Sequence, residues 1–288
     1  MFTADKWQQY KLIDAEGGER LEDWNGRILI RPDPQIIWHA ERKNPLWRKA
    51  DGVYRRSSEG GGQWIKKGFE PEWQIAYGDL KFTVCPMGFK HTGLFPEQAA
   101  NWDWFSKLIR ECGRPIKLLN LFAYTGGATV AAAKAGAFVC HVDAAKGMVQ
   151  KARTNAVLSG IPDDRIRWIV DDCFKFTERE LRRGSKYDAV ILDPPSFGRG
   201  PRGEKWVMED NLDKLVAQLT GLLSDRPLFV LLNSYTTGLS AATSGCILHN
   251  NLTQRFGGRV ESGELGLPIV ERGFCLPCGS AGRWIADR

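Results

Sequence analysis

Residues 187–197 read Tyr-Asp-Ala-Val-Ile-Leu-Asp-Pro-Pro-Ser-Phe. An apolar run suited to a buried strand ends there in an acid, two prolines and an aromatic ring. Each proline lacks an N–H and holds φ at about −65°, so the strand stops and the carbonyls of Asp193 and Pro194 are left to accept from a ligand. Asp193 and that carbonyl would orient a planar group that donates through a nitrogen, while Phe197 stacks on its face. A nitrogen held in this way presents its lone pair to an electrophile, which is the geometry that methyl transfer needs. Without chemistry, the same residues would be a strand stop packed by a core phenylalanine.

The electrophile needs its own cradle. Residues 117–127, Lys-Leu-Leu-Asn-Leu-Phe-Ala-Tyr-Thr-Gly-Gly, are an apolar strand running into a glycine turn, and 128–135 are good helix formers. A second short strand, 137–143, ends in Asp143, 17 positions after Gly126, close to the spacing at which an acid meets a nucleotide ribose. A dinucleotide would need a G-x-G-x-x-G turn for its pyrophosphate. Here the glycines are adjacent, and Tyr124 and Thr125 occupy places where that turn needs minimal bulk, so a nucleoside cofactor without a pyrophosphate fits better. A third strand, 165–170, ends in Asp171-Asp172-Cys173-Phe174, where Asp172 would meet an adenine amino group or simply be a solvated loop acid.

Taken in this order and spacing, Asn120 to Gly127, Val142 to Ala144, Asp171 to Phe174 and Leu192 to Phe197 resemble the class I S-adenosylmethionine-dependent methyltransferases. Within them the chain looks most like the bacterial large-subunit ribosomal RNA methyltransferases that modify a cytosine carbon or a guanine nitrogen. The resemblance covers about 85–288 and implies an α/β fold with a Rossmann-like, seven-stranded sheet, and S-adenosylmethionine as cofactor. It implies cofactor contacts at Phe122, Tyr124, Thr125, Gly126, Asp143 and Asp172. His91 to Gln98, the segment that lines the cofactor pocket in the family, adds Phe95 and Gln98. Asp193, Pro194, Pro195 and Phe197 become the catalytic turn.

Methylating a pyrimidine at carbon 5 requires a cysteine thiolate to activate the ring. In the family that cysteine follows the Asp-Pro turn or the next strand; here those places hold Ser196 and the run Asn233-Ser234-Tyr235-Thr236. Cys275 and Cys278 are the remaining alternative, for a cytosine methyltransferase with an unusually placed cysteine. A nitrogen acceptor needs no covalent intermediate, only alignment and exclusion of water. Asn233 and Tyr235 are then candidates to bind the edge of the acceptor. Arg199, Arg202 and Lys205, in the glycine-rich loop after Phe197, would meet an anionic substrate.

Strands and helices alternate from about 113 onward, which predicts a parallel sheet with helices on both faces. Residues 1–84 read as a separate, small β-rich domain, with short strands between Gly, Pro and Asp turns such as Gly60-Gly61-Gly62. Within it, 42–67 hold eight basic residues against two acids, a local balance of +6, interleaved with Trp47, Tyr54 and Trp64. Cations beside aromatic faces suit looped or single-stranded RNA, although core tryptophans under a solvated face would look the same.

The chain has 288 residues, a net charge of +6 and pI near 8.9, too modest a charge to establish nucleic-acid binding alone. No apolar run reaches the ~20 residues of a membrane span and the first ten residues lack a signal-peptide core, so a cytoplasmic protein is expected. Seven scattered cysteines imply reduced thiols, and the single C-x-x-C at 275–278 lacks the second pair that zinc needs, so no metal is expected. The leading reading is methylation of a base nitrogen in ribosomal RNA; the alternative acceptor is a protein side chain or small molecule.

Overall fold

The structure is a computed structural model that describes residues 1–57, 61–66, 70–88, 90–199, 205–236 and 238–287, with Lys66 and Arg199 described in their backbone alone. The chain forms two compact units. The first comprises Met1–Ala100 and Leu265–Cys278; the second comprises Asn101–Glu264 and Gly279–Arg288. The first unit takes in a late segment of the chain as well as residues 1–100.

The first unit is β-rich. Strand β1 is Phe2–Thr3; β2 (Tyr10–Glu16), β3 (Glu19–Trp24), β4 (Ile28–Pro32), β5 (Gly52–Arg56) and β6 (Gly62–Lys66) form a five-stranded sheet in that order, and β7 (Trp73–Tyr77) pairs with β8 (Leu80–Val84). Ile13, Leu21, Ile30, Trp47 and Ala50 make one apolar cluster. Beside them lies a buried polar group: Arg31 Nε and Nη2 donate to the two carboxylate oxygens of Glu22 at 2.6 and 2.7 Å, and the Tyr10 hydroxyl donates to Glu22 at 2.8 Å. Burial alone would push the Glu22 carboxyl up, but Arg31 and Arg20 hold it below the usual range.

Helix α1 (Ala99–Glu111) lies in the second unit from Asn101 on, and its Trp102, Phe105 and Ile109 recur at helical spacing and are buried. Then follow β9 (Lys117–Leu121), α2 (Gly127–Lys134), β10 (Phe138–Asp143), α3 (Lys146–Leu158), β11 (Ile166–Val170), α4 (Cys173–Arg182) and β12 (Ala189–Leu192). A short ribbon of β13 (Phe197–Arg199) and β14 (Lys205–Val207) leads into α5 (Met208–Thr220) and β15 (Phe229–Ser234). Next come α6 (Ala241–Leu248), a π turn (His249–Thr253) and α7 (Gln254–Phe256), before β16 (Arg259–Pro268) and β17 (Cys275–Ile285).

The sheet order is β16-β17-β15-β12-β9-β10-β11, which is the expected seven strands, and β1 adds an eighth by pairing with Leu265 and Gly266 of β16. The ladders from β15 to β11 are parallel, and β17 runs antiparallel to β15. Strand β9 starts the alternation and lies inside the sheet, so the order reverses between β9 and β12. In open α/β sheets the ligand crevice lies outside the strand carboxyl ends at such a reversal. On one face Leu119, Leu121, Val142, Val190, Leu192 and Leu232 pack with Phe176, Leu212, Leu215 and Leu219. No described helix is long and apolar enough to cross a membrane.

Candidate functional site

Register brings the site together. Leu121 pairs with Val142 on one side and with Leu192 on the other, and Leu192 pairs with Leu232. The next residue of each strand is Phe122, Asp143, Asp193 or Asn233, so four separate sequence motifs emerge from neighbouring strand ends. The Asp193 N–H points back to the Leu121 carbonyl at 3.4 Å.

The turn after β9 is built from unusual backbone. Phe122 and Tyr124 both have positive φ, at 55° and 50°, a region that costs non-glycine residues of order 1–3 kcal/mol each. Specific contacts hold them there. The Phe122 N–H donates to the Cys173 thiol sulfur at 3.3 Å, and the Tyr124 N–H donates to Asp143 Oδ2 at 2.8 Å. Gly126, at φ 82°, begins α2, and a Cβ there would stand 2.8 Å from the Ala152 Cβ, so only glycine lets α3 approach. Asn155 of α3, itself buried, donates its amide to the Thr125 carbonyl at 2.9 Å.

Asp143 is the hinge of this cradle. Its Oδ1 accepts from the Ala145 N–H at 2.8 Å while Oδ2 takes Tyr124, and burial still raises its carboxyl above the ordinary range against those two bonds. A half-desolvated carboxylate between two backbone amides suits a ligand that donates hydroxyls to it. Beneath the cradle, Asn120 Nδ2 donates to Thr129 Oγ1 at 2.8 Å, and that oxygen lies 2.9 Å from His141 Nδ1. Burial pushes His141 down to about 3 and keeps it neutral. This chain ties β9, α2 and β10 together, and nothing in the local sequence pattern announced it.

After β11, Asp172 caps α4, its Oδ1 accepting from the Lys175 N–H at 2.9 Å, and Asp171 pairs with Arg179. Asp172 thus has a helix-capping task that the sequence reading did not assign. Cys173 is buried, and burial holds its thiol far above the usual range; Cys140 is pushed up to about 11.

The Asp-Pro-Pro turn is fastened at both sides. Trp206 Nε1 donates to the Pro195 carbonyl at 2.6 Å, and the Trp206 ring stands 5.1 Å from that of Phe122. Ser196 Oγ lies 2.6 Å from Thr236 Oγ1, which in turn reaches the Met208 sulfur at 3.1 Å. Phe197, the aromatic of the motif, is 54% exposed, with the Lys205 ammonium 5.9 Å from its ring centre. The loop expected after Phe197 is therefore a ribbon at its two ends; Arg202 lies outside the described residues, as does the Arg199 side chain. Trp206, Thr236 and Met208 were not among the expected site residues.

Asn233, a candidate for the acceptor edge, lies on β15. It is 2% exposed and accepts from Asn101 Nδ2 at 2.9 Å, while Asn101 Oδ1 accepts from Arg283 Nε and Nη2 at 3.0 and 2.7 Å. Through Asn101 it is tied to α1 and β17. Tyr235 lies across Gly279, where an added Cβ would meet its ring at 2.8 Å.

In the first unit, Phe95 precedes a short 3-10 turn (Pro96–Gln98) and its ring meets His91 at 5.6 Å; Gln98 is buried. The basic window there is partly neutralised. Arg42 pairs with Glu16 and Glu19, Arg55 pairs with Glu19, and Trp47 and Tyr54 are buried. Lys67 lies outside the described residues. All seven cysteines are free thiols, and burial raises Cys278 well above the usual range. Among the described residues no group of three or more His, Cys, Asp or Glu is gathered as a metal-ligand set.

Residues 38–240 match the model of a family described as S-adenosylmethionine-dependent methyltransferase. Aeromonas hydrophila ribosomal RNA large subunit methyltransferase I is 32% identical over 198 residues, 68% of this chain and 48% of that one. Cellvibrio japonicus ribosomal RNA large subunit methyltransferase K/L is 32% identical over 163 residues, 55% of this chain and 20% of that one. The chain spans about a third to a half of the length of several other curated relatives it matches. The crystal structure of the SAM-dependent methyltransferase from Agrobacterium tumefaciens superposes with a TM-score of 0.94 at 34% identity, over 99% of this chain and 93% of that one.

Proposed function

Because the chain belongs to the S-adenosylmethionine-dependent methyltransferase family, we propose that it methylates a base nitrogen of ribosomal RNA at the Asp193 turn. The cofactor supplies a methyl group on a sulfonium, activated for in-line attack. The residues present fit it: Gly126 opens the turn, Tyr124 and Thr125 carry the backbone past it, and the half-buried Asp143 carboxylate would accept from ribose hydroxyls. Asp172 and Phe122 complete the proposed cofactor set within the second unit.

The observation that carries the reading is the register that sets Asp193 beside Phe122 across the β9–β12 switch. Asp193 would accept from the acceptor N–H and turn its lone pair toward the methyl, with the Pro194 carbonyl as second acceptor. Phe197 offers an exposed face on which a base would stack, and Lys205 a cation for its phosphate. Drawing a base from a duplex costs a few kcal/mol, which stacking offsets. Nitrogen is favoured over carbon 5 because Ser196 and the run Asn233-Ser234-Tyr235-Thr236 stand where the family's cysteine would, and burial raises the Cys278 thiol well above the usual range.

One observation favours a second reading, a protein or small-molecule acceptor: the internal pairing of Arg42 and Arg55 leaves less cationic surface for RNA. Methyl-labelled S-adenosylmethionine and ribosomal RNA from a strain lacking this gene, followed by nucleoside mass spectrometry, separates them. Label in a methylguanine or methyladenine supports the proposal. Label in 5-methylcytosine overturns the nitrogen mechanism, and unlabelled RNA points to the other acceptors.

A further inference from the structure

We propose that Trp206 is a positioning residue that fixes the acceptor turn through the Pro195 carbonyl and couples that turn to the cofactor cradle through Phe122. The inference rests on the methyl-transfer reading of the turn.

The two prolines fix φ but leave ψ of Pro195 free. That angle sets where Ser196 and Phe197 go, and with them the stacking ring. The Trp206 indole N–H, 2.6 Å from the Pro195 oxygen, pins it. Pro195 is exposed, so water would satisfy its carbonyl equally well; a protein donor adds orientation rather than rescue of a buried group. The same indole ring meets Phe122 at 5.1 Å and 53°, a tilted aromatic contact.

Phe122 is itself held at positive φ by the Cys173 sulfur, inside the turn that leads to Gly126. Any shift of that turn on filling the cradle moves the Phe122 ring, and Trp206 carries the shift to Pro195. On the opposite side Ser196 is held by Thr236, and its carbonyl accepts the Met208 N–H at 3.1 Å. The turn is thus clamped between a hydroxyl pair and an indole, and Phe197 is the ring left open to an acceptor. Trp206 acts through Pro195 and Phe122 and need not touch the substrate.

Trp206→Phe separates the two tasks, because it keeps a ring against Phe122 and removes the N–H. The expected result is a kcat for ribosomal RNA methylation lower by about tenfold, the effect of roughly one lost hydrogen bond, with the affinity for S-adenosylhomocysteine within twofold of wild type. In protein labelled with 5-fluorotryptophan, the fluorine resonance that disappears in Trp206→Phe is expected to shift when S-adenosylhomocysteine is added. A wild-type kcat in Trp206→Phe, an affinity loss that matches the kcat loss, or a fluorine resonance unmoved by S-adenosylhomocysteine would each overturn the proposal. Should wild-type enzyme label no RNA, the acceptor reading fails, and the fluorine response still decides the role of Trp206.

Discussion

The N–H of Tyr124 donates to Oδ2 of Asp143 at 2.8 Å, so the residue that ends β10 also holds the strained turn that follows β9. One carboxylate therefore shapes the turn and, in its proposed role, would offer its remaining acceptor capacity to a ligand. Affinity and local structure are joined at this side chain.

A pH dependence follows from that position. Burial raises the Asp143 carboxyl in the free protein, while a ribose donating hydroxyls requires the charged form. Binding must then release a proton at acid pH, so affinity for S-adenosylmethionine rises with pH through the raised value and levels off above it. Calorimetric titration across pH should place that limb above about 3.9, the ordinary Asp value, and Asp143→Asn should abolish it.

Gly126→Ala should weaken the fold by about 1–3 kcal/mol, since the change combines positive φ with a clash against the Ala152 Cβ. Ala152→Gly added to it should recover the steric part and leave the backbone part. Urea melts of the single and double variants measure the two contributions.

The buried Asn101–Arg283 pair gives a third expectation. Burial already lowers Arg283 to about 10, and removing the Asn101 acceptor takes two hydrogen bonds from that buried cation. Asn101→Ala should cost roughly 2–4 kcal/mol, and Arg283→Met in the same chain should restore a good part of it. Equal stability of Asn101→Ala and wild type in denaturant would contradict the network as described.

In the first unit, Glu22 is depressed by Arg31 and Arg20, so its contribution to stability is present above the unfolded Glu value of about 4.3 and is lost as pH falls toward its folded value. Acid titration followed by far-ultraviolet circular dichroism should show this unit losing structure on that limb. Glu22→Gln should destabilise it at neutral pH by roughly 3 kcal/mol and flatten the acid dependence.

The strand ends, the glycine turn and the Asp-Pro-Pro turn were legible because each is local: apolar runs, special backbone residues and an acid at a fixed place. What escaped was long-range. The capping task of Asp172 depends on where α4 begins, and the burial of Asn233 depends on Asn101 and Arg283, 132 residues before it and 50 after it. Trp206 lies eleven residues after Pro195, and only the β13–β14 ribbon returns it to that carbonyl. The cationic window of the first unit looked open because Glu16 and Glu19, which pair with Arg42 and Arg55, lie on earlier strands.

In the proposed arrangement the ends of β9 and β10 hold the cofactor and the end of β12, on the other side of β9, holds the acceptor. Asp193→Ala should bind S-adenosylmethionine within about twofold of wild type and lose methyl transfer by about a hundredfold or more, the scale of losing an aligning group. Asp143→Ala should lose affinity first, by about tenfold or more, an effect on the scale of a lost charge-assisted hydrogen bond. Calorimetry and single-turnover transfer on the two variants together measure this directly. Wild-type affinity in Asp143→Ala, or wild-type transfer in Asp193→Ala, would contradict the assignment.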